Sequence, residues 1–254
     1  MKRQYIQYKH IDNVDYITLN RPQKKNAMNL EMIKEIKTLI ATLYHNDSYA
    51  LVIQANGDDF CAGADLQWMQ EQIHYSEQQN YEESLVLAEM MYTLYSYPNT
   101  VISCAQGNIF GGGLGILACS DIVIASSMCQ FCFSETTLGL IPAIISPYVH
   151  QSIGSKNFKY YALTAQRFGS TDALKMNLIS QISDNIEASL STTLQSLRRN
   201  SRQAIAECKK LIHKIDEQLI NSDFIFHCAR TLSQLRITDD TQKRLSKFLH
   251  KTLK

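Results

Sequence analysis

The chain has 254 residues, of which 45% are hydrophobic and 19% charged, and its formal net charge is +1. This is the composition of an ordinary globular protein with a large core in one domain, and it excludes a strongly basic nucleic-acid binder. No stretch approaches the roughly 18 apolar residues of a membrane span, and no apolar segment follows the first basic residues as in a secretory signal. We therefore expect a cytoplasmic protein with no nucleic-acid or membrane partner.

Strands and helices alternate from the N-terminus onward, which is the pattern of an α/β fold. Residues 13–22 predict a strand that ends at Pro22. A helix follows with Asn29 as its N-cap, because a side-chain oxygen there can accept a hydrogen bond from a free N–H of the first turn. The apolar face of this helix is predicted to be Leu30, Ile33, Ile36, Leu39, Ile40 and Leu43.

The same alternation continues through the middle of the chain. A second helix is predicted over residues 81–95 and ends before Pro98. Short apolar runs bounded by glycine or polar residues predict three further strands, at residues 50–57, 100–107 and 121–126.

Two of these strands lead into glycine-rich loops of similar sequence, "VIQANGDDFCAGADL" at 52–66 and "VISCAQGNIFGGGLG" at 101–115. Both read as strand, turn, phenylalanine, small residues and helix, which is a weak internal repeat. In both, small residues stand where a loop becomes a helix. The first N–H groups of a helix have no partner within it and can hold a negative oxygen. Two such ends brought together would form an oxyanion hole.

The chain has 7 cysteines without regular spacing, which argues against a disulfide framework. Cys129 and Cys132 form a CxxC motif, for which a redox pair or half of a zinc site is the alternative reading. Because Phe131 and Phe133 alternate with them as in a strand, we interpret both as buried thiols. No histidine pair has metal-ligand spacing, so no metal is predicted.

The character of the sequence changes near residue 190, where lysine- and arginine-rich helices begin. We predict helices over residues 194–219 and 239–254, and we interpret their charge runs as mainly solvated faces. The expected division is a core at residues 1–189 that carries the site and a helical region at residues 190–254. This region is expected to pack against the core or a neighbouring subunit.

Four motifs in order carry a family resemblance: "LNRPQKKNAMN" (19–29), "FCAGADL" (60–66), "GNIFGGGLG" (107–115) and "FSETTLGLIP" (133–142). Together they resemble the crotonase superfamily of enoyl-CoA hydratases and isomerases. The segment "LGLIPAIISPYV" is most similar to bacterial methylglutaconyl-CoA hydratases and their isohexenylglutaconyl-CoA relatives. The resemblance implies an α/β spiral of β-β-α repeats with C-terminal helices, assembled as a homotrimer or a dimer of trimers. It also implies an acyl-CoA thioester as substrate and no separate cofactor.

The resemblance implies three catalytic groups. The backbone N–H groups of Ala64 and Gly112 are expected to hold the thioester carbonyl, and Glu135 is the expected acid–base group. Reaction next to a thioester builds an enolate whose charge collects on the carbonyl oxygen, so donors aimed at that oxygen act mainly in the transition state.

The resemblance also implies residues that bind the substrate. The backbone at residues 62–66 is expected near the adenine, and Lys25 is the basic residue favoured over Arg21 and Lys24 to approach the CoA phosphates. We expect the Asp65 side chain to cap a helix rather than react. The expected substrate-binding residues are Lys25, Ala62, Asp65, Leu66, Gly111, Gly115 and Pro142, and residues 142–148 are expected to line the acyl pocket.

Gly115 departs from the pattern of the two-glutamate hydratases, which have a glutamate at this position. Glu135 would then be the single carboxylate, with its pKa raised by Phe133, Leu138 and Leu140. We expect the space above Gly115 to belong to substrate or water, and Gly115→Glu to fold. Three readings stay open: a hydratase, a double-bond isomerase or decarboxylase with one glutamate, and a non-catalytic acyl-CoA-binding paralogue.

Overall fold

A computed structural model describes residues 3–217 and 222–252 of the chain. The chain divides into two compact units, residues 1–193 and residues 194–254. All strands of the described residues lie in the first unit, whereas the second unit is helical. The candidate site is therefore built on the sheets of the first unit.

The strands of the described residues form two sheets. In chain order they are β1 (Ile6–Ile11), β2 (Val14–Leu19), β3 (Ala50–Ala55), β4 (Thr100–Ala105), β5 (Asn108–Phe110), β6 (Ile122–Ala125), β7 (Gln130–Cys132), β8 (Phe168–Gly169) and β9 (Gln181–Ile182). The larger sheet has the order β1-β2-β3-β4-β6-β9, and the smaller has the order β5-β7-β8. The predicted α/β class and the four strands called from the sequence are confirmed.

The larger sheet is antiparallel only between β1 and β2, and its other neighbouring strands are parallel. Since parallel strands point the same way, the carboxyl ends of β3 and β4 meet at one edge of the sheet. The two glycine-rich sequences follow these two strands. The topology therefore places both loops side by side.

Ten helices are described: α1 (Leu30–Leu43), α2 (Leu66–Gln72), α3 (Glu77–Tyr95), α4 (Gly112–Ala118), α5 (Ser146–Thr164, interrupted at Gly154), α6 (Ser170–Lys175), α7 (Ile186–Arg199), α8 (Arg202–Glu217), α9 (Ser222–Arg236) and α10 (Asp239–Thr252). In the described ranges, none is long and apolar enough to cross a membrane.

The first residues of α1 and α3 can be compared with those predicted from the sequence. The Asn29 side chain accepts a hydrogen bond from the N–H of Met32 at 3.0 Å, which confirms the predicted N-cap of α1. By contrast, α3 begins at Glu77 rather than at residue 81 as predicted. Ser76 and Gln79 form a reciprocal capping box that starts the helix one turn earlier.

The helices of the C-terminal region differ from the prediction in number. The single helix expected over residues 194–219 is two helices in the structure, because α7 ends at Arg199 and α8 begins at Arg202. Residues 218 and 219 lie outside the described part. Helix α9 was not predicted. The last predicted helix is present as α10, and residues 253 and 254 lie outside the described residues. Within this unit α8 packs on α9, and α9 packs on α10.

A fully buried carboxylate joins the first two strands to the turn before β3. Asp15 accepts hydrogen bonds from the Tyr8 hydroxyl and His10 Nδ1 at 2.8 Å each and from the Ser48 hydroxyl at 2.5 Å, with Asn46 at 3.4 Å. Burial alone would raise the pKa of Asp15, but these hydrogen bonds lower it below its ordinary value. The ionised carboxylate is thus a structural element of this corner.

Candidate active site

The two glycine loops lie against each other at the edge of the larger sheet. The N–H of Cys61 donates to the carbonyl of Asn108 at 3.1 Å, and the N–H of Phe110 donates to the carbonyl of Cys61 at 2.9 Å. These bonds continue as a parallel bridge between Cys61 and Ile109. The two loops predicted from the internal repeat are therefore paired in register.

The backbone pairing around Ala64 turns its N–H away from every acceptor in the described residues. Met28 pairs with Ala64 in a parallel bridge, in which the N–H of Met28 donates to Gly63 and the N–H of Asp65 donates to Met28, both at 2.8 Å. In this pattern the middle residue turns its own N–H away from the paired strand. Within residues 3–217 and 222–252, no backbone carbonyl accepts the N–H of Ala64.

The N–H of Gly112 stands at the first turn of α4. The preceding residue, Gly111, has φ 49° and ψ −116°, a conformation that suits glycine because it has no Cβ. No side chain caps this helix, and no backbone acceptor in the described part of the chain takes the N–H of Gly112. Both expected oxyanion donors thus have no backbone acceptor among the described residues.

The third glycine of the triplet explains the close approach of the loops. A Cβ at Gly113 would lie 2.9 Å from the carbonyl oxygen of Cys61, closer than real Cβ atoms come to backbone. A Cβ at Gly111 would lie 3.9 Å from Cα of Gly63. The absence of a side chain at Gly113 therefore lets the backbone of one loop lie in contact with the other.

Glu135 lies beside this junction. It begins a short 3₁₀ turn, Glu135–Leu138, that follows β7. Its Oε1 is 3.4 Å from the place where a Cβ on Gly111 would stand. The structure thus brings the Glu135 carboxyl together with Gly111, next to Gly112 in the chain, and with the loop that carries Ala64.

The Glu135 carboxyl is poorly solvated. Its Oε2 is the one buried side-chain oxygen or nitrogen in the described residues that has no hydrogen-bond partner. Burial raises the pKa of Glu135 above its ordinary value. The expected rise is confirmed, while two of the residues expected to cause it, Leu138 and Leu140, are 57% and 56% exposed. Of the three apolar neighbours named from the sequence, Phe133 alone is buried.

The space above Gly115 is filled by protein, so the prediction that it belongs to substrate or water is wrong. Gly115 is buried inside α4, and a Cβ there would lie 2.4 Å from Cγ2 of Ile145 and 2.8 Å from Cε of Met91. These apolar side chains take the volume that we had assigned to substrate or water. A second carboxylate would collide with them, so we now expect Gly115→Glu to destabilise the fold rather than to fold stably.

Two buried methionines cover this end of α4. The Cε of Met28 lies 2.3 Å from the place of a Cβ on Gly112, and the Cε of Met91 lies 3.9 Å from it. Both methionines are at most 2% exposed. Sequence reasoning missed them, because their positions in the chain give no sign that they meet at α4. The wall next to the expected carbonyl site is therefore apolar and made of flexible side chains.

The residues expected on the CoA side are only partly free. Asp65 caps α2 by accepting from the N–H groups of Gln67 and Trp68, as predicted, and it binds Arg21 in a buried ion pair of 2.8 Å. Arg21 also donates to the carbonyl of Ala27, so it does not point outward as expected for a phosphate ligand. The side chain of Lys25 is 65% exposed and reaches Asp59 at 4.0 Å.

Other expected contacts are limited by the fold. The N–H of Ala62 donates to the carbonyl of Lys25 at 3.0 Å, so it is not available to an adenine. Leu66 is exposed on the first turn of α2. Pro142 is half-buried between the 3₁₀ turn and α5, and its carbonyl accepts the N–H of Ser146.

A polar cavity of about 320 Å³ lies beside the start of α2. Its lining includes the carboxylates of Glu31, Glu71 and Glu83, together with the Arg21–Asp65 pair already described. A surface this acidic repels phosphate. We therefore do not place the phosphates of CoA in this cavity.

The two cysteines of the CxxC motif lie at β7 of the smaller sheet and are buried. Cys129 and Cys132 are free and buried, and burial raises the pKa of Cys129 to about 11. A thiol with a raised pKa is a poor nucleophile. The interpretation as buried thiols is confirmed.

Comparison with known proteins decides the family. The model of the enoyl-CoA hydratase/isomerase family matches residues 9–253. The chain belongs to this family. It is therefore an enzyme of enoyl-CoA hydratase/isomerase type, and the family implies that it binds an acyl-CoA substrate.

Individual relatives agree with this assignment. The chain is 30% identical over 202 residues to the enoyl-CoA hydratase ACTT6 of Alternaria alternata, with 78% of this chain and 66% of that one covered. It is 27% identical over 216 residues to the bacillaene synthase dehydratase PksH of Bacillus subtilis, with 85% and 83% covered.

Solved structures of the crotonase fold match nearly the whole chain. An enoyl-CoA hydratase from Shewanella pealeana superposes with a TM-score of 0.94 at 35% identity and covers 98% of this chain and 94% of its own. Pseudomonas aeruginosa AtuE superposes with a TM-score of 0.93 at 30% identity and covers 98% and 97%. The predicted crotonase-type α/β fold with a helical C-terminal region is confirmed.

Proposed function

We propose that this enzyme adds water to an α,β-unsaturated acyl-CoA thioester, with Glu135 as the acid–base group. The observation that carries the proposal is the half-buried Glu135 carboxyl, whose buried Oε2 has no hydrogen-bond partner among the described residues and whose Oε1 stands beside Gly111. A general acid–base group works best when its pKa lies near the working pH, and burial moves the pKa of Glu135 in that direction.

In the proposed reaction the thioester carbonyl accepts hydrogen bonds from the N–H groups of Ala64 and Gly112. The Glu135 carboxylate takes a proton from water as the water oxygen bonds to the β-carbon. The π electrons of the double bond move onto the carbonyl oxygen, where the two N–H groups stabilise the enolate. The enolate then re-forms the carbonyl while the α-carbon takes the proton back from Glu135. The same steps in reverse are a dehydration, which is the activity in the name of the Bacillus relative.

The wall at Gly115 favours a second candidate, a double-bond isomerase. Met91 and Ile145 occupy the volume where a second carboxylate would stand, so Glu135 works alone. One carboxylate can take a proton from one carbon of the acyl chain and return it to another through the same enolate. A decarboxylase would use the same oxyanion donors without removing a proton.

We further propose the kind of acyl group that the enzyme accepts and its oligomeric state. We propose a methylglutaconyl-like acyl group, branched or with a second carboxylate, on the basis of the resemblance of "LGLIPAIISPYV" to hydratases for such substrates. We also propose the homotrimer or dimer of trimers that the resemblance implies. Sedimentation of the full chain measures the latter directly.

Mass spectrometry of products tests the reaction type. Straight, branched and dicarboxylic enoyl-CoA esters are incubated with the protein, with Glu135→Gln, and with Glu187→Gln as a control at an exposed glutamate of α7. Gain of one water by the parent and control, but not by Glu135→Gln, supports the hydratase. Unchanged mass with a shifted double bond in the NMR spectrum supports the isomerase, loss of carbon dioxide supports the decarboxylase, and unaltered substrate supports a non-catalytic binder.

A further inference from the structure

Three side chains form a row across the smaller sheet. Phe110 on β5 is paired with Cys132 on β7. The antiparallel register of β7 and β8 pairs Phe131 with Phe168, which sets Arg167 opposite Cys132. Because paired residues share one face of a sheet, this row lies on the face opposite to the buried rings of Phe131 and Phe168, which stack with centroids 5.2 Å apart.

Arg167 extends along this row toward the second glycine loop. Its guanidinium carbon lies 5.2 Å from the centroid of the Phe110 ring. Across residues 3–217 and 222–252, the exposed guanidinium makes no ion pair and donates no hydrogen bond to the protein. Stacking on an aromatic face fixes the cation in place and leaves its edge donors available to a ligand.

The Arg167 guanidinium lies near the loop that carries Gly112 and near Glu135. Phe110 directly precedes Gly111, where an added Cβ would lie 3.4 Å from Oε1 of Glu135. Burial raises the pKa of the Cys132 thiol, the charge of Arg167 lowers it, and the charge of Glu135 raises it, so both charges act on the middle residue of the row. The guanidinium of Arg167 is therefore held on the ring of Phe110, two residues before Gly112, whose N–H is expected to bind the thioester carbonyl.

We propose that Arg167 binds an anionic oxygen group of the thioester substrate. This inference rests on the proposed function, since it places the thioester at Ala64 and Gly112. A guanidinium binds a carboxylate or a phosphate through two parallel N–H···O hydrogen bonds. In this substrate class the group is either a carboxylate at the end of the acyl chain or a phosphate of CoA.

Binding of saturated thioesters tests the proposal independently of turnover, because they have no double bond to hydrate. Dissociation constants are measured by calorimetry for glutaryl-CoA, pentanoyl-CoA, glutaryl-pantetheine and pentanoyl-pantetheine. The proteins are the full chain, Arg167→Gln, Arg167→Lys and the control Lys9→Gln, which removes an exposed charge from β1 of the other sheet. The pentanoyl esters lack the acyl carboxylate and the pantetheine esters lack the nucleotide phosphates.

We expect Arg167→Gln to weaken one class of anionic ligand by about 10- to 100-fold, the usual value of a charged hydrogen-bonded pair, with partial recovery in Arg167→Lys. A loss confined to the glutaryl esters identifies the acyl carboxylate, and a loss confined to the CoA esters identifies a phosphate. Equal binding changes for all four ligands, or none, would overturn the proposal. Normal binding by a parent protein that fails to hydrate any enoyl ester would instead refute the proposed function alone.

Discussion

Two carboxyl groups of the first unit have opposite surroundings. Asp15 is fully buried and accepts short hydrogen bonds from Tyr8, His10 and Ser48, and its pKa is lowered despite burial. Glu135 is half-buried, its buried Oε2 has no hydrogen-bond partner among the described residues, and its pKa is raised. Folding favours satisfied polar groups, so an oxygen left without a partner at the junction of the loops that carry both expected N–H donors indicates a place where a substrate completes the hydrogen bonding.

Replacement of the unsatisfied carboxyl is expected to have the largest effect. Glu135→Gln should lower turnover by about 10² to 10⁴, the usual contribution of a positioned acid or base, with little change in binding of saturated acyl-CoA. Steady-state kinetics on whichever enoyl ester the parent converts measures this. The matched variant Asp15→Asn should keep turnover per folded molecule, and a comparable loss of turnover there would remove the distinction between the two carboxyls.

A carboxylate introduced at Gly115 would have neither the hydrogen-bond donors that surround Asp15 nor the partial exposure of Glu135, so it is expected to destabilise the fold. Gly115→Glu would press a charge against Met91 and Ile145, so we expect it to cost at least about 3 kcal/mol of unfolding free energy. Gly169→Glu is the control, because a Cβ there meets no atom closer than 4.0 Å. Urea denaturation of both variants decides the point, and equal stability would show that the space above Gly115 is open.

The sequence predicted local features better than tertiary ones. The caps at Asn29 and Asp65 follow from short motifs whose physical cause lies within a few residues. The apolar cover of Gly115 depends on Met91 and Ile145, which come from distant parts of the chain. The exposure of Leu138 and the alignment of Arg167 with Phe110 likewise depend on tertiary packing and strand register, which composition and periodicity do not specify.

Removal of the satisfied carboxylate should affect stability and spare the site. Asp15→Asn is expected to lower the unfolding free energy by about 2 kcal/mol, because hydrogen bonds to a buried charge are lost or weakened. Ser48→Ala, which removes one donor to that carboxylate, should cost about 1 kcal/mol. Urea denaturation at neutral pH measures both. An undiminished stability of Asp15→Asn would show that the cluster does not hold this corner of the sheet.

The smallest expected effect has the opposite sign. Glu135→Gln should raise the unfolding free energy at neutral pH by about 1 kcal/mol, because it removes a charge that burial disfavours. A variant that gains stability and loses turnover would show that the Glu135 carboxyl serves the reaction and not the stability of the fold. Thermal unfolding against the control Glu187→Gln, at an exposed position, measures the gain.

The pH dependence of unfolding, measured from about pH 3 to 8 for the parent, Glu135→Gln and Asp15→Asn, tests the central claim most directly. The pKa of Glu135 is raised from 4.5, so the parent should lose stability relative to Glu135→Gln as the pH rises above that value. The pKa of Asp15 is lowered from 3.8, so the advantage of the parent over Asp15→Asn should be complete above that value and shrink as the pH falls below it. The account predicts these opposite trends. A parent that gains stability relative to Glu135→Gln with rising pH would show that Glu135 is a satisfied structural carboxylate like Asp15, and would contradict the account.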